Sequence, residues 1–177
     1  MDTRLNKLYD IMRKHDIDIV ALIPGANLRY LTGGVHYVME RPILMFIPLD
    51  KPPLAVIPKM EIPVFARHRV ESEIIAWSDA EGYHEAFRKG LSALNPSGKT
   101  IGVEGFNMRF AEGEIIRHYA QSARVKAIDD ELAELRIIKD ADEITSLHKA
   151  IDISQRALQQ TLNSVRVGMT EIEIALM

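Results

Sequence analysis

Metal-assisted hydrolysis needs several His, Asp or Glu side chains converging on one point, and this 177-residue chain offers six histidines: His15, His36, His68, His84, His118 and His148. No two of them stand at ligand spacing. His84-Glu85 opens like the helical zinc motif, but Arg88 occupies the place of the second His, which leaves a solvated surface. His148 and Asp152 lie one helical turn apart with no third ligand nearby, the pattern of a surface contact. Asp140, Asp142 and Glu143 cluster at a helix start, as do Asp129-Asp130-Glu131, and attraction to the helix dipole accounts for both groups. Ala93 to Thr100, ending in Gly98-Lys99-Thr100, has nearly the spacing of a phosphate-cradling loop. That loop works only with a strand before it and a helix after it, and here the order is reversed. There is no Gly-x-Ser-x-Gly elbow, no Gly-x-Gly-x-x-Gly turn and no cysteine. From spacing alone the chain carries no complete active site and no metal site.

Composition narrows the remaining classes. With 47% hydrophobic residues, 22 Lys+Arg against 25 Asp+Glu and a net charge of -3, the chain has the profile of an ordinary globular domain. No Lys/Arg block is longer than the pair Arg13-Lys14, so nucleic acid is not expected as a partner. Met1 to Arg4 mixes charges without an apolar core, as no secretory signal does. The most apolar runs, 17–23 and 43–49, are too short for a membrane span of about 20 residues. Together with the lack of cysteine, this makes a cytoplasmic protein the expectation.

The elements that must position any site follow from periodicity. Leu5, Leu8, Tyr9 and Met12 mark a first helix capped by Asp2 or Thr3. Ile19 to Ile23 is a central strand closed by Pro24-Gly25, and Ile43–Ile47 with Leu54–Ile57 reads as an antiparallel hairpin. Lys59 to Arg67 predicts a helix kinked or shortened at Pro63, followed by a strand over Glu73–Trp77. Ser78 and Glu81 fit a capping box for a helix that faces inward through Tyr83, Ala86, Phe87, Gly90, Leu91 and Leu94. Ile101–Glu104 is a short strand. Asn107 is placed to cap a helix with Ala111, Ile115, Ile116 and Tyr119 inward, and Val125–Ile128 returns as a strand. The order is mixed α/β, a sheet of five or six strands with helices on both faces. Beyond it, Leu147, Ala150, Ile151, Ala157, Leu158, Leu162 and Val165 hold one helical face to a stop at Gly168. Thr170 and Glu173 then form another capping box. The expected division is a first domain over 1–135 and, over 136–177, a linker helix with the truncated start of a second domain.

Three motifs in order, Asn27-Leu28-Arg29-Tyr30-Leu31-Thr32-Gly33 after a buried strand, Ile101-Gly102-Val103-Glu104, and Leu135 to Ile144, carry a resemblance. The chain resembles the creatinase/prolidase N-terminal domain, the non-catalytic half of the pita-bread metallopeptidases, among them Xaa-Pro aminopeptidase, Xaa-Pro dipeptidase (prolidase) and creatinase. Gly168 to Ile174 is similar to the family's stretch just inside the catalytic domain. The resemblance implies a three-layer domain with a mixed, ribonuclease-H-like sheet. It implies a missing half in which two Asp, one His and two Glu hold two divalent ions, Mn, Co or Zn, none of which this chain binds. It also implies a homodimer in which this domain closes over the partner's active site and its proline-containing peptide. On that footing His36, Tyr37 and Arg41, in the loop after Gly33, are the substrate-contact candidates: His36 or Arg41 for a carboxylate, Tyr37 against a prolyl ring. Asn27, Tyr30, Thr32 and Gly33 are expected to be structural. Two other readings share the fold: a creatinase-type amidinohydrolase, and a non-catalytic scaffold or interaction module.

Overall fold

The computed structural model describes residues 3–177. Its elements are α1 (Thr3–Lys14), β1 (Ile19–Leu22), α2 (Ala26–Thr32), β2 (Leu44–Pro48), β3 (Leu54–Pro58), a 3-10 turn (Lys59–Glu61), α3 (Ile62–Phe65), β4 (Glu73–Trp77), α4 (His84–Leu94), β5 (Thr100–Val103), α5 (Phe110–Tyr119), β6 (Arg124–Ala127), α6 (Asp129–Ile137), α7 (Ala141–Ser164) and α8 (Glu171–Ala175). The six strands form one mixed sheet in the order β4-β3-β2-β1-β5-β6. β1 and β2 pair antiparallel, as do β2 and β3. The pairs β1–β5, β3–β4 and β5–β6 are parallel.

The apolar runs become the strands buried on both faces, β1, β2 and β3. Successive side chains point to opposite faces. Ile19, Ala21, Leu44, Phe46 and Val56 therefore pack against Phe87 and Leu91 of α4 and Ile116 of α5. Val20, Leu22, Met45 and Ile47 pack against Leu8 and Met12 of α1, Leu28 and Leu31 of α2, and Leu132 and Leu135 of α6. The result is three layers: helices, sheet, helices. A Cβ on Gly90 would sit 2.7 Å from Cγ2 of Val56, so the glycine is what lets α4 lie this close to the sheet.

Several local readings are corrected by tertiary partners. Asn27 to Thr32, to which periodicity assigned no element, lie in a helix, α2, and Gly33 ends it in the left-handed conformation (φ 77°), its N–H donating to Arg29 O. Of the two expected effects of Pro63 the structure shows shortening: the helix is reduced to α3, with Pro63 in its first turn, where no N–H donor is needed. Ser78 and Glu81 close a turn, and α4 starts only at His84. Asn107 does not cap α5: its side chain hydrogen-bonds Glu104, and Arg109 takes the cap position. On α5, Ala111 is exposed while Glu112 is buried, paired with Arg109. A cap by Asp2 lies outside the described residues.

The chain divides into two compact units, Met1–Arg136 and Ile137–Met177. In the second, α7 carries a reciprocal Asp140–Glu143 capping box and α8 a Thr170–Glu173 one, as the S/T/D-x-x-E pattern dictates. Leu147, Leu158 and Leu162 of α7 are exposed. No helix among the described residues is long and apolar enough to cross a membrane.

Candidate functional site

Two anchors place the loop that leaves α2. At the start of α2, Asn27 Nδ2 donates to Glu104 Oε1 over 2.9 Å, and the other carboxylate oxygen accepts the Ile23 N–H. Glu104, 1% exposed, thus ties the end of β1 and the start of α2 to the end of β5. Burial pushes its carboxyl above the usual range, against the hydrogen bonds from Ile23, Asn27 and Asn107. At the other end, the buried Thr32 hydroxyl donates to Leu28 O and accepts the Gly34 N–H, while Arg69 N–H donates to Thr32 O. Tyr30 packs its ring beneath the Arg4 guanidinium, 4.2 Å away, and its hydroxyl donates to Leu135 O. Asn27, Tyr30, Thr32 and Gly33 thus build the frame of the loop.

The loop itself is pinned at several points. His36, with its side chain 1% exposed, places Nδ1 3.0 Å from Glu61 Oε2 and Nε2 2.8 Å from His68 Nε2. Both rings lie with centroids 4.4 Å from Phe65. A carboxylate only accepts, so His36 Nδ1 carries the proton shared with Glu61, and His68 donates from Nε2 to His36 Nε2. That leaves His68 Nδ1 as an unprotonated nitrogen, buried and without a partner. Burial first, and the neighbouring His36 second, push the His68 pKa down to about 4. Further along, Arg109 donates to Met39 O, and Arg41 grips Asp79 through Nε and Nη2 at 2.9 and 2.7 Å. The guanidinium holds the Asp79 carboxyl below its ordinary value.

Of the three substrate-contact candidates, His36 is turned inward, Arg41 is paired across to Asp79, and Tyr37 is 74% exposed. Val38 and Met39 beside it are exposed as well. The loop therefore presents a short apolar tip on a polar, hydrogen-bonded stem. Sequence reasoning missed the stem's partners Glu61, Phe65, His68, Asp79 and Arg109, which lie 25 or more residues from their loop contacts and leave no periodic signal. No group of three or more His, Asp or Glu able to hold a metal exists among the described residues.

His68 makes the stem pH-sensitive. Its folded pKa of about 4 lies below the unfolded 6.5, so its contribution is present above pH 6.5 and is lost as the pH falls toward 4. The shift sets a ceiling of about 3 kcal/mol, and solvent screening at this half-buried ring reduces it to about 1–2 kcal/mol. Urea unfolding at pH 7 and pH 4.5 should show that loss, and His68→Phe should shrink it. An unchanged pH dependence in the variant would remove His68 as its source.

The creatinase/prolidase N-terminal domain model matches residues 4–138. Similar proteins include the Xaa-Pro dipeptidase of Pyrococcus furiosus, 25% identical over 99% of this chain and 46% of its own length. The structure of a dipeptidase from Pyrococcus horikoshii is 26% identical, covering 98% of this chain and 48% of that one with a TM-score of 0.85. A recombinant prolidase from Thermococcus sibiricus has the same fold, with a TM-score of 0.87 at 24% identity over 99% of this chain and 48% of that one. The chain spans about half the length of the curated relatives it matches. With Asn27 and Glu104 joining two of the three sequence motifs in one buried hydrogen bond, the third at the close of α6, and the family model covering the whole sheet, the chain belongs to the creatinase/prolidase N-terminal domain family.

Proposed function

We propose that this chain is the N-terminal portion of a cytosolic, metal-dependent Xaa-Pro peptidase, an aminopeptidase or dipeptidase, and that its own tasks are dimerisation and gating of the substrate. The family match over residues 4–138 carries this reading, supported by relatives in which the matched region is about half of the protein. On this reading the sheet is ribonuclease-H-like, 1–135 is the family domain, and 136–177 leads into the catalytic domain. Two divalent ions, Mn, Co or Zn, supply the activated water in that second half. The described residues of this chain do not fit such a centre, having no ligand group of three.

Within the gate, Tyr37 is the contact residue. Its exposed ring stands on a stem fixed by His36 and Arg41, so a prolyl ring can pack on it without reorganising the loop. In the full-length protein Tyr37→Ala should lower kcat/KM for Xaa-Pro peptides about 2- to 10-fold, the loss of one aromatic packing contact, with folding and metal content unchanged. Unaltered kinetics would reduce the tip to a connection between α2 and β2. The wider reading is tested by assaying the full-length protein, loaded with Mn, Co or Zn, on Xaa-Pro dipeptides and on creatine. Hydrolysis of the dipeptides supports it. Turnover of creatine alone indicates the amidinohydrolase, and no turnover of either indicates a scaffold.

A further inference from the structure

Helices α4 and α5 pack side by side on one face of the sheet, and a groove of about 380 Å³ opens between the start of α4 and the length of α5. Residues 110, 114 and 118 recur at intervals of four, so Phe110, Glu114 and His118 share one face of α5 along the groove. Tyr83, His84 and Tyr119 join them. The tyrosine rings are held in place. Tyr83 meets Trp77 and Phe87 edge to face, with centroids 5.7 and 6.0 Å apart, which ties it to the core. Tyr119 places its hydroxyl 3.0 Å from His84 Nδ1, a hydrogen bond that joins the two helices. Phe110, by contrast, is 82% exposed. A lone exposed Phe is ordinary on a protein surface, but this one borders a groove lined by two tyrosines and two imidazoles. Among the described residues no Lys or Arg lines the groove, and Glu114 is its one carboxylate. Glu114 accepts a 2.7 Å bond from Arg117 at Oε2, and both side chains of that pair are open to solvent, so the pairing is weak. Arg88, one turn beyond His84, is held at two points by Glu85.

We propose that the groove between α4 and α5 is a binding site for a small organic cation, a quaternary ammonium. Aromatic rings carry negative charge on their faces, and several of them around one concavity attract a cation while excluding water. The carboxylate of Glu114 adds a full negative charge to the same groove. A quaternary ammonium fits better than a bare one, because it has no N–H to satisfy and its methyl groups take the ring faces. The volume is that of a small-molecule site. No residue of the loop after Gly33 lines it, so the site stands independently of the peptidase reading.

Calorimetric titration of the chain with choline tests the proposal, in about 0.15 M salt at about pH 8, above the ordinary titration range of imidazole. The control is an uncharged analogue with a tert-butyl group in place of the trimethylammonium. Saturable binding of choline at about one molecule per chain is expected, with the analogue weaker by about tenfold. Phe110→Leu keeps an apolar side chain and removes the ring face, and it should weaken choline binding about 3- to 30-fold with the melting temperature unchanged. Glu114→Gln should weaken it as well. Phe106→Ala, at an exposed ring outside the groove, should leave binding intact. Equal affinity for choline and the analogue would overturn the proposal, because the groove would then be apolar without preference for charge. Absence of saturable choline binding below about 1 mM would overturn it too. Should Phe110→Leu instead reduce self-association in sedimentation while choline fails to bind, the groove belongs to a second copy of the chain and the proposal is wrong.

Discussion

Replacing Glu104 by Ala is expected to destabilise the chain by about 2–4 kcal/mol, because the Ile23 N–H and the Asn27 amide are then left buried without an acceptor at about 1–3 kcal/mol each. For a domain of this size that corresponds to a fall in melting temperature of about 4–16 °C. Glu104→Gln keeps one carbonyl oxygen and should lose less. The pH dependence separates hydrogen bonding from burial of charge. The folded pKa of Glu104 is raised above its ordinary 4.5, so its linkage contribution is complete below that value and is lost as the pH rises through the folded pKa. The deficit of Glu104→Gln relative to the natural chain should therefore narrow between pH 4 and pH 8. A Glu104→Ala variant within about 0.5 kcal/mol of the natural chain at every pH would mean that water replaces the lost acceptor and that the anchor is dispensable.

Gly34→Ala should be the most disruptive change in the loop. A Cβ there would lie 2.1 Å from His68 Nε2 and 2.5 Å from its Cδ2. The imidazole cannot simply swing aside, since it packs against Phe65 and shares a hydrogen bond with His36. Overpacking of this kind costs about 1–3 kcal/mol, and relief by displacing His68 would also release the His36–Glu61 end of the stem. The combination Gly34→Ala with His68→Ala makes room for the methyl group. It should be less destabilised than the sum of its single variants by about 1 kcal/mol or more. Strict additivity in this cycle, measured by denaturant unfolding, would show that Gly34 is needed for some reason other than the His68 ring.

Both variants report on contacts that bring distant residues together, and that is where sequence reasoning reached its boundary. The apolar runs at 19–23, 43–47 and 54–57 determined the buried strands, because a strand covered on both faces must be apolar at every position. The Asp140–Glu143 and Thr170–Glu173 pairs fixed two helix starts, since a capping box closes within four residues and needs no outside partner. Ser78–Glu81 has the same pattern at the same spacing and caps nothing. There the chain turns, and Glu81 is shared with Lys59 from another element. Asn107 fails as a cap for a related reason: Glu104, buried at the end of β5, claims its side chain. In the loop, the sequence pointed to His36, Tyr37 and Arg41 after Gly33, and to Gly33 itself as structural. Which side chain faces outward depended on Glu61, His68 and Asp79, reached only after the chain has folded back through β2, β3 and β4. Charge and hydrogen-bond partners separated by 25 to 38 residues carry no periodicity, so the inward His36, the paired Arg41 and the outward Tyr37 were decided by tertiary structure alone.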